Sequence, residues 1–287
     1  MWIWLTVGFG KTTLTLNGRE NNEMNQAIIS GINDYKYSPY DRLRGCVEDA
    51  QQMNLLALNY LGFDPSGVTL LLDSQAVAGR IREDVLGAVQ QAKPGDHILW
   101  THSSHGTNTP DSNQADELLE LLCCYDTKEK NGQWDLDTVI SAKFIGGEVI
   151  ISLHPEAHMD IILDCCYAPE GSQLKTMGLS YSRSKFLPSS DSSFNIPLTD
   201  RVLFTPKPHK LPPNVCLWSA CESHQTSADA YIDGKWQGAF SAAFRKFFKL
   251  GRSRSDVIFY ARKWLKDNRY EQIPHLYGVG LAGKAIG

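Results

Sequence analysis

Two short apolar runs in this sequence each end in residues that could carry out nucleophilic catalysis. The run Met159–Leu163 is soon followed by two adjacent thiols, Cys165–Cys166. The run His97–Trp100 is followed by two histidines within His102–Gly106. Short apolar runs bounded by turn-forming residues are typical of buried strands in a parallel sheet. If these strands are neighbours, thiol and imidazole meet at the carboxyl edge of the sheet, where ligands bind in open α/β folds. The pattern therefore predicts a cysteine nucleophile with a histidine base.

Each residue type alone has a structural explanation, because cysteine is among the most buried residues and an isolated histidine is often structural. The joint pattern is rarer, since both groups follow a strand and precede small or turn-forming residues. The seven cysteines are odd in number and include two adjacent pairs, which does not fit a secreted disulfide framework. No Cys-x-x-Cys pair occurs, which argues against a zinc ribbon. A reduced, cytoplasmic protein is the prediction.

Apolar patterns along the rest of the chain alternate between strand and helix. Strands are predicted at 27–32, 68–72, 96–100, 159–163 and 214–219, and helices at 46–61, 78–92, from about 136, 238–248 and 254–267. A polar loop is expected after Gly106. Alternating strands and helices indicate an α/β fold with a mostly parallel central sheet covered by helices on both faces.

Length and composition favour one large globular domain. The chain has 287 residues, 42% of them hydrophobic, and a net charge of −4. This charge gives no reason to expect nucleic acid or an anionic membrane as a partner, and no apolar run approaches the roughly 18 residues that cross a bilayer. We expect a domain at 26–287, with 1–25 kept apart as an N-terminal extension of uncertain status. Within the domain, the Ser-, Pro- and Lys-rich stretch 168–213 predicts a long exposed loop.

Two motifs resemble those of metacaspases and related bacterial caspase-like cysteine peptidases. His102–Gly106 is similar to the family's His-Ser-Gly-His-Gly, and Asp164–Ala168 is similar to its Asp-x-Cys-His-Ser-Gly. Further segments match in the family's order, namely Gly31–Tyr35, Leu43–Ala50, Ser219–Cys221, Gln225–Ala230 and Gln272–Leu276. The resemblance runs from about Ala27 to the C-terminus, and it implies a caspase-like fold and cysteine endopeptidase activity through a Cys-His dyad.

The resemblance also implies a role for each reactive residue. It makes His105 the base and Cys166 the nucleophile. Because a glycine after the base lets backbone N–H groups approach the substrate carbonyl, the amides of Gly106 and Cys166 are the expected oxyanion donors. It leaves His102 as a wall residue and Cys165 as a small buried side chain. A thiol with a pKa near 8.5 is mostly protonated at pH 7, so a neighbouring imidazole has to activate it.

Substrate choice follows from four positions that match the family's pocket for the side chain before the scissile bond: Cys46, Asp49, Ser103 and Asp164. Two aspartates in a narrow pocket complement a guanidinium or ammonium group and repel an acidic side chain. The expected partner is a protein or peptide substrate with Arg or Lys before the cleaved bond. Such an enzyme would also find sites in its own loop 168–213, at Lys175, Arg183, Lys185, Arg201, Lys207 and Lys210.

Some residues depart from the family pattern. Tyr167 stands where the nucleophile is usually followed by His, and Ala168–Pro169 replaces Ser-Gly. Two alternatives therefore stay open: a catalytically impaired homologue that acts as a scaffold or regulator, and a hydrolase of the same fold with another acyl substrate.

A calcium site is the remaining feature that the family would imply. The matching carboxylates are in Asp116–Glu120, at Asp126 and in Asp135–Asp137, but Leu119 and Leu136 stand where the family has acidic ligands. A cation that takes 6 to 8 oxygens lacks two good ones here. We expect no metal and no cofactor, with calcium left open as the alternative.

Overall fold

A six-stranded, mostly parallel sheet forms the centre of the molecule. The computed structural model describes residues 24–111, 114–166, 182–190, 211–222, 225–248 and 251–286. The strands of the central sheet are β1 (Gln26–Gly31), β2 (Val68–Leu72), β3 (His97–Ser103), β9 (His158–Asp164), β11 (Val215–Ser219) and β14 (His275–Tyr277). Their order is β14-β11-β9-β3-β1-β2, and β14 alone of the six runs antiparallel to its neighbour. The predicted α/β class is confirmed.

The two strands that precede the reactive residues are direct neighbours. β3 pairs with β9 in parallel, with His102 opposite Leu163 and Ser103 opposite Asp164. Both strands are almost entirely buried, which explains why their sequences are continuous apolar runs and do not alternate. The prediction that they are parallel neighbours is confirmed.

Helices cover both faces of the sheet. They are α1 (Cys46–Asn59), α2 (Ala78–Gln91), α3 (Ala142–Phe144, a π-helical turn Ile145–Val149 and Ile150–Ser152), α4 (Ala239–Phe247), α5 (Arg254–Asp267) and α6 (Val279–Ala282). One apolar core lies between the sheet and α2 with α3, and a second lies between the sheet and α1, α4 and α5. Each fully buried Leu, Ile or Val in these cores stabilises the fold by about 1.5–3 kcal/mol.

Helix α1 begins at Cys46, as its sequence predicts, and ends at Asn59, two residues before the predicted end. The Asn33 side chain accepts a hydrogen bond from the Cys46 amide at 2.9 Å, which satisfies a free donor at the helix start. After the helix, Gly62 has φ of 74°, a conformation that glycine adopts without strain. Since Asn33 belongs to the segment after β1, this cap also fixes α1 against the carboxyl edge of the sheet.

Two segments differ from the expectation. A hairpin of β4 (Gly106–Asp111) and β5 (Gln114–Cys123) replaces the polar loop predicted after β3, and β5 also pairs with β8 (Val139–Ser141). The helix predicted from about Leu136 begins only at Ala142, because Ser141 caps it by accepting the Phe144 amide at 3.2 Å. Residues Leu136–Thr138 form a short turn instead.

The stretch expected to be a long exposed loop contains an ordered strand. β10 (Ser182–Ser184) pairs with β12 (Ala228–Ile232), which pairs in turn with β13 (Lys235–Gly238). Lys185 and Leu187, which follow β10, are buried. The expectation of exposure is therefore wrong for these two residues. A two-stranded ribbon completes the elements of the described chain, β6 (Glu129–Lys130) with β7 (Gln133–Trp134).

The extension predicted at 1–25 lies outside the described residues up to position 23. Met24 and Asn25 approach the start of β3: the Met24 amide donates to Asp96, and Asn25 accepts from the His97 amide. No helix in the described part of the chain is long and apolar enough to span a membrane.

Candidate active site

The ends of β3 and β9 bring His105 and Cys166 to the same edge of the sheet. Cys166 follows the last residue of β9 by two positions, and His105 follows the last residue of β3 by two. The amide of Ser104 donates to the carbonyl of Asp164 at 3.4 Å, so the two chain segments stay adjacent beyond the strands. Both side chains are buried.

Two hydrogen bonds fix the orientation of His105. Its amide donates to the hydroxyl of Tyr35 at 2.7 Å, and its ring Nε2 lies 2.6 Å from the carbonyl oxygen of Asp41. Because a carbonyl can only accept, Nε2 carries the ring proton and Nδ1 keeps its lone pair. Nδ1 is buried and has no hydrogen-bond partner within the described residues. The imidazole is thus held in a tautomer that can accept a proton at Nδ1.

Burial sets the charge states of the pair. Burial lowers the pKa of His105 to about 4, against the opposing effect of the Asp41 and Lys185 backbone. It raises the pKa of Cys166 to about 12. At neutral pH both groups are therefore uncharged in this arrangement. A reaction at the thiol has to transfer its proton as the sulfur attacks, and a neutral imidazole can receive that proton.

The four predicted pocket residues lie together beside this pair. The hydroxyl of Ser103 donates to Oδ2 of Asp49 at 2.9 Å. Asp164 lies opposite Ser103 in the β3–β9 register and accepts hydrogen bonds from Ser241. Burial raises the pKa of the Cys46 thiol, and Lys185 is its strongest charged neighbour. The sequence thus places two buried carboxylates, a hydroxyl and a thiol in one pocket.

Lys185, which sequence analysis did not assign to the pocket, fills it. Its ammonium lies 3.2 Å from Oδ1 of Asp164 and 3.3 Å from Oδ2 of Asp49, and it donates to Ser103 Oγ at 2.9 Å. The side chain has no exposed surface. Burial opposes its charge, but the carboxylate of Asp164 and the neighbouring acids hold the pKa of Lys185 well above its ordinary value. The same contact lowers the pKa of Asp164, although burial acts to raise it.

The backbone of Lys185 lies against the predicted oxyanion donors. The amide of Gly106 donates to the Lys185 carbonyl oxygen at 2.8 Å, and the amide of Cys166 donates to the same oxygen at 3.4 Å. In the other direction, the Lys185 amide donates to the carbonyl of Ser227 at 3.0 Å. One lysine of the chain thus contacts both the carboxylate pocket and the two amides.

Sequence analysis also missed four residues around the pocket. Gly238 donates its amide to both oxygens of Asp49, at 3.0 and 2.9 Å, and a Cβ built on it would lie 2.1 Å from Asp164 Oδ2 and 2.6 Å from Lys185 Nζ. Arg245 lies 3.3 Å from Asp49 Oδ1. Ser227 donates to Asp164 Oδ1 at 2.7 Å. The fourth is Asp229; it and Ser227 both belong to the family-like segment Gln225–Ala230, which was the one available sequence signal.

Asp229 is a third buried carboxylate near the pocket. Its Oδ2 accepts from the Arg44 amide at 2.8 Å, and burial raises its pKa to about 6 although Lys185 opposes the shift. Oδ1 has no hydrogen bond of good geometry within the described chain, although the Gly45 backbone lies beside it. The surroundings of Lys185 are therefore more acidic than the two predicted aspartates alone would make them.

The structure places the remaining predicted residues as follows. His102 is buried and bonded to Ser30 and the Cys123 carbonyl, and Cys165 is buried in the core. All seven cysteines are free thiols. Tyr167 and Ala168–Pro169 lie outside the described residues.

The calcium question concerns a region that is described only in part. Among the described residues, no three His, Cys, Asp or Glu side chains form a group that could hold a metal ion. Leu119 is buried and Leu136 is exposed, and a leucine offers no side-chain oxygen ligand at either position. Asp126 caps α2 by accepting the Ala78 amide at 2.9 Å. The side chains of Asp116 and Glu117 lie outside the described part.

Comparisons with known proteins give one consistent result. A family model described as metacaspase, peptidase C14 domain, matches residues 25–175. Metacaspase-1 of Schizosaccharomyces pombe is 23% identical over 294 residues, which cover 88% of this chain and 66% of that protein. Metacaspase-1A of Neurospora crassa is 25% identical over 303 residues, which cover 94% and 64%. The chain thus spans slightly less than two thirds of the length of these two relatives.

Solved structures extend the likeness to the fold. A crystal structure of a Geobacter sulfurreducens protein has a TM-score of 0.66 at 17% identity, covering 91% of this chain and 98% of that one. Caspase-1 of Spodoptera frugiperda has a TM-score of 0.51 at 10% identity, covering 89% and 86%. The sheet, the two motifs and the family model agree, and the chain belongs to the metacaspase family of cysteine peptidases, the peptidase C14 family.

Proposed function

We propose that this protein is a cysteine endopeptidase that cleaves peptide bonds after Lys or Arg, with Cys166 as nucleophile and His105 as base. One observation carries the proposal: Lys185 lies with its ammonium between Asp49 and Asp164 and with its carbonyl oxygen on the amides of Gly106 and Cys166. The substrate residue before a scissile bond has to place its side chain in the carboxylate pocket and its carbonyl oxygen on the oxyanion donors at the same time.

The pocket supports a preference for basic side chains by charge. Asp49 and Asp164 are both buried, and Arg245 is a permanent cation that contacts Oδ1 of Asp49. A substrate ammonium or guanidinium completes the neutralisation of the second carboxylate, whereas an acidic side chain adds a further buried negative charge. Buried charges without partners cost several kcal/mol, so the pocket discriminates by charge.

The chemical steps follow from the groups that surround the docked lysine. Nδ1 of His105 accepts the thiol proton of Cys166 as the sulfur attacks the substrate carbonyl carbon. The amides of Gly106 and Cys166 stabilise the negative charge that develops on the carbonyl oxygen. The imidazolium then donates its proton to the leaving amine, and a water molecule hydrolyses the thioester. The Asp41 carbonyl keeps Nε2 protonated throughout, which fixes the tautomer of the base.

Covalent labelling tests the proposal. A short peptidyl chloromethyl ketone with Arg before the reactive group should add one label to Cys166, and mass spectrometry of a digest should locate it there. The same reagent with Asp should label far more slowly, and Cys165→Ala should be labelled like the wild type. If the protein is a catalytically impaired homologue, neither reagent should label it. Equal labelling by both would indicate a hydrolase with another substrate.

A further inference from the structure

Helices α4 and α5 lie in a stretch with a local excess of positive charge. Residues 239–270, which contain both helices, include nine Lys and Arg but only two Asp and no Glu, so this stretch has a net charge of +7. The whole chain has a net charge of −4, which conceals the excess and gave no reason to expect an anionic membrane as a partner. A concentrated basic surface attracts anionic partners where its cations are exposed and unpaired.

Most of the described cations in this stretch have no acidic partner. Within the described residues, three of them form salt bridges with carboxylates: Arg245 with Asp49, Arg254 with Asp160 and Lys263 with Asp267. The others form no salt bridge in the part of the chain that the structure describes: Lys246, Arg252, Arg262, Lys266 and Arg269. All of these except Arg252 are exposed. We call these five cations, with the exposed rings of Phe259 and Tyr260, the basic face.

Aromatic rings lie among these cations. In α5, Phe259 is 62% exposed and Tyr260 is 40% exposed. The guanidinium carbon of Arg252 lies 5.0 Å from the ring centre of Tyr260, and the ammonium of Lys246 lies 5.5 Å from the ring of Trp264. A cation over a ring face is attracted by it, which keeps these long side chains close to the helices. Positive charge and apolar rings therefore share one surface.

The shape of the basic face follows from how α5 packs. The inward side of the helix is apolar and buried, with Val257, Ile258, Ala261 and Leu265 spaced three or four residues apart or adjacent, as a helix requires. The basic face is the opposite, outward side of a helix that is fixed on the protein, so it is convex. Peptides bind in grooves or along sheet edges. A convex basic surface suits a broad anionic partner better than a single peptide.

We propose that the basic face docks the protein on the surface of a membrane rich in anionic lipids. The five cations complement the charge of the headgroups, which attract Lys and Arg side chains within about a Debye length of the surface. The ring of Phe259 enters the interfacial layer, where aromatic side chains are favoured. The inference goes beyond the proposed function, because no described contact of these cations involves the pocket or the Cys166–His105 pair.

Nucleic acid is the other broad polyanion, and the rings of this surface favour it less. A single strand binds basic and aromatic surfaces by stacking its bases on open ring faces. Here the ring of Tyr260 already stacks on Phe247 at 5.8 Å between ring centres, and the ring of Trp264 stacks on Tyr270 at 6.1 Å. These rings are engaged with protein groups, whereas a membrane needs only their exposed edges.

Co-sedimentation of the purified full chain with lipid vesicles tests the docking. The protein should bind vesicles of phosphatidylcholine that contain about one third phosphatidylserine, and it should not bind vesicles of phosphatidylcholine alone. Raising the salt concentration from about 0.1 M to about 1 M should release it, because the screening length falls from about 10 Å to about 3 Å. Equal binding to both kinds of vesicle, or binding to neither, would overturn the inference.

A matched pair of triple variants tests whether this face is the one that binds. The first variant replaces three exposed cations of the basic face with Gln: Lys246, Lys266 and Arg269. It should bind the phosphatidylserine vesicles about 100-fold more weakly, since each basic side chain near an anionic surface contributes roughly a factor of five. The control replaces three exposed lysines outside the face with Gln: Lys36, Lys93 and Lys130. Equal losses in the two variants would show attraction by overall charge and overturn the inference, and thermal melting shows that both are folded.

Two further measurements test the ring and the kind of polyanion. Phe259→Ser should weaken vesicle binding several-fold, whereas Tyr40→Ser, which removes a 95% exposed ring elsewhere, should not. Unchanged binding by Phe259→Ser would contradict the place of this ring in the interfacial layer. A single-stranded oligonucleotide, added at the same concentration of negative charge as the vesicles, should leave most of the protein on the vesicles. Release by the oligonucleotide would assign the face to nucleic acid and overturn the inference.

Discussion

Replacing Cys166 with alanine is expected to lower kcat/KM on an Arg peptide by roughly 10³-fold or more, and His105→Ala should cost about the same. A nucleophile and its base act as a unit, so removal of either one leaves only binding and oxyanion stabilisation. Steady-state kinetics of the purified variants, with the concentration of folded protein taken from circular dichroism, measures this effect. The double variant should be no worse than either single one.

Cys165→Ala is the matched control for this prediction. Cys165 is the neighbouring thiol, equally buried, and it belongs to the core between the sheet and α2. Its removal should lower stability somewhat by leaving a small cavity, while most of the activity remains. Retention of full activity in Cys166→Ala, or its loss in a folded Cys165→Ala, would contradict the assignment of the nucleophile.

The second large effect is expected in the pocket. Asp164→Asn and Asp49→Asn should each lower kcat/KM for Arg peptides by about 100-fold, because breaking a buried charged contact costs about 2–5 kcal/mol. Asn keeps the shape of Asp and can still accept from Ser241 or Gly238, so the change removes mainly the charge. Kinetics on peptides with Arg or a neutral Gln before the scissile bond should show a selective loss for Arg.

Three further variants, one in the pocket and two outside it, separate the effects of charge, space and stability. Gly238→Ala keeps an ordinary backbone conformation, with φ of −66°, but its Cβ would overlap Asp164 and Lys185, so it should block the basic side chain. Gly79→Ala, whose Cβ meets open space, should have no such effect. Asp160→Asn removes an equally buried carboxylate from β9, paired with Arg254, and should lower stability without changing the preference for Arg over Gln.

Sequence patterns predicted the placement of the reactive pair because continuous apolar runs identify buried parallel strands. Met159–Leu163 and His97–Trp100 are such runs, and the residues that follow them lie at one edge of the sheet. The assignment of Asp49 and Asp164 to one pocket came instead from the resemblance to metacaspases, and both carboxylates contact Lys185. For the strands, local pattern and tertiary structure agree, as expected where burial is nearly complete.

The residues that were missed owe their positions to contacts distant in sequence. Lys185 stands in a Ser-rich stretch that favours exposure, and only the pairing of β10 with β12 and the acids of the pocket account for its burial. The hairpin of β4 and β5 was missed because the run from Glu117 to Leu122 does not alternate regularly. Gly238 has no local signal, since its small size matters only where Asp49 and Asp164 converge.

We propose that a buried acidic pocket directs a Cys166 peptidase to bonds that follow basic residues. The most direct measurement is the ratio of kcat/KM for otherwise identical fluorogenic peptides with Arg, Lys or Asp before the cleaved bond. We expect Arg and Lys peptides to be cleaved at least about 100-fold more efficiently than the Asp peptide, in a reaction that Cys166→Ala abolishes. Cleavage of the Asp peptide as efficient as that of the Arg peptide would contradict it.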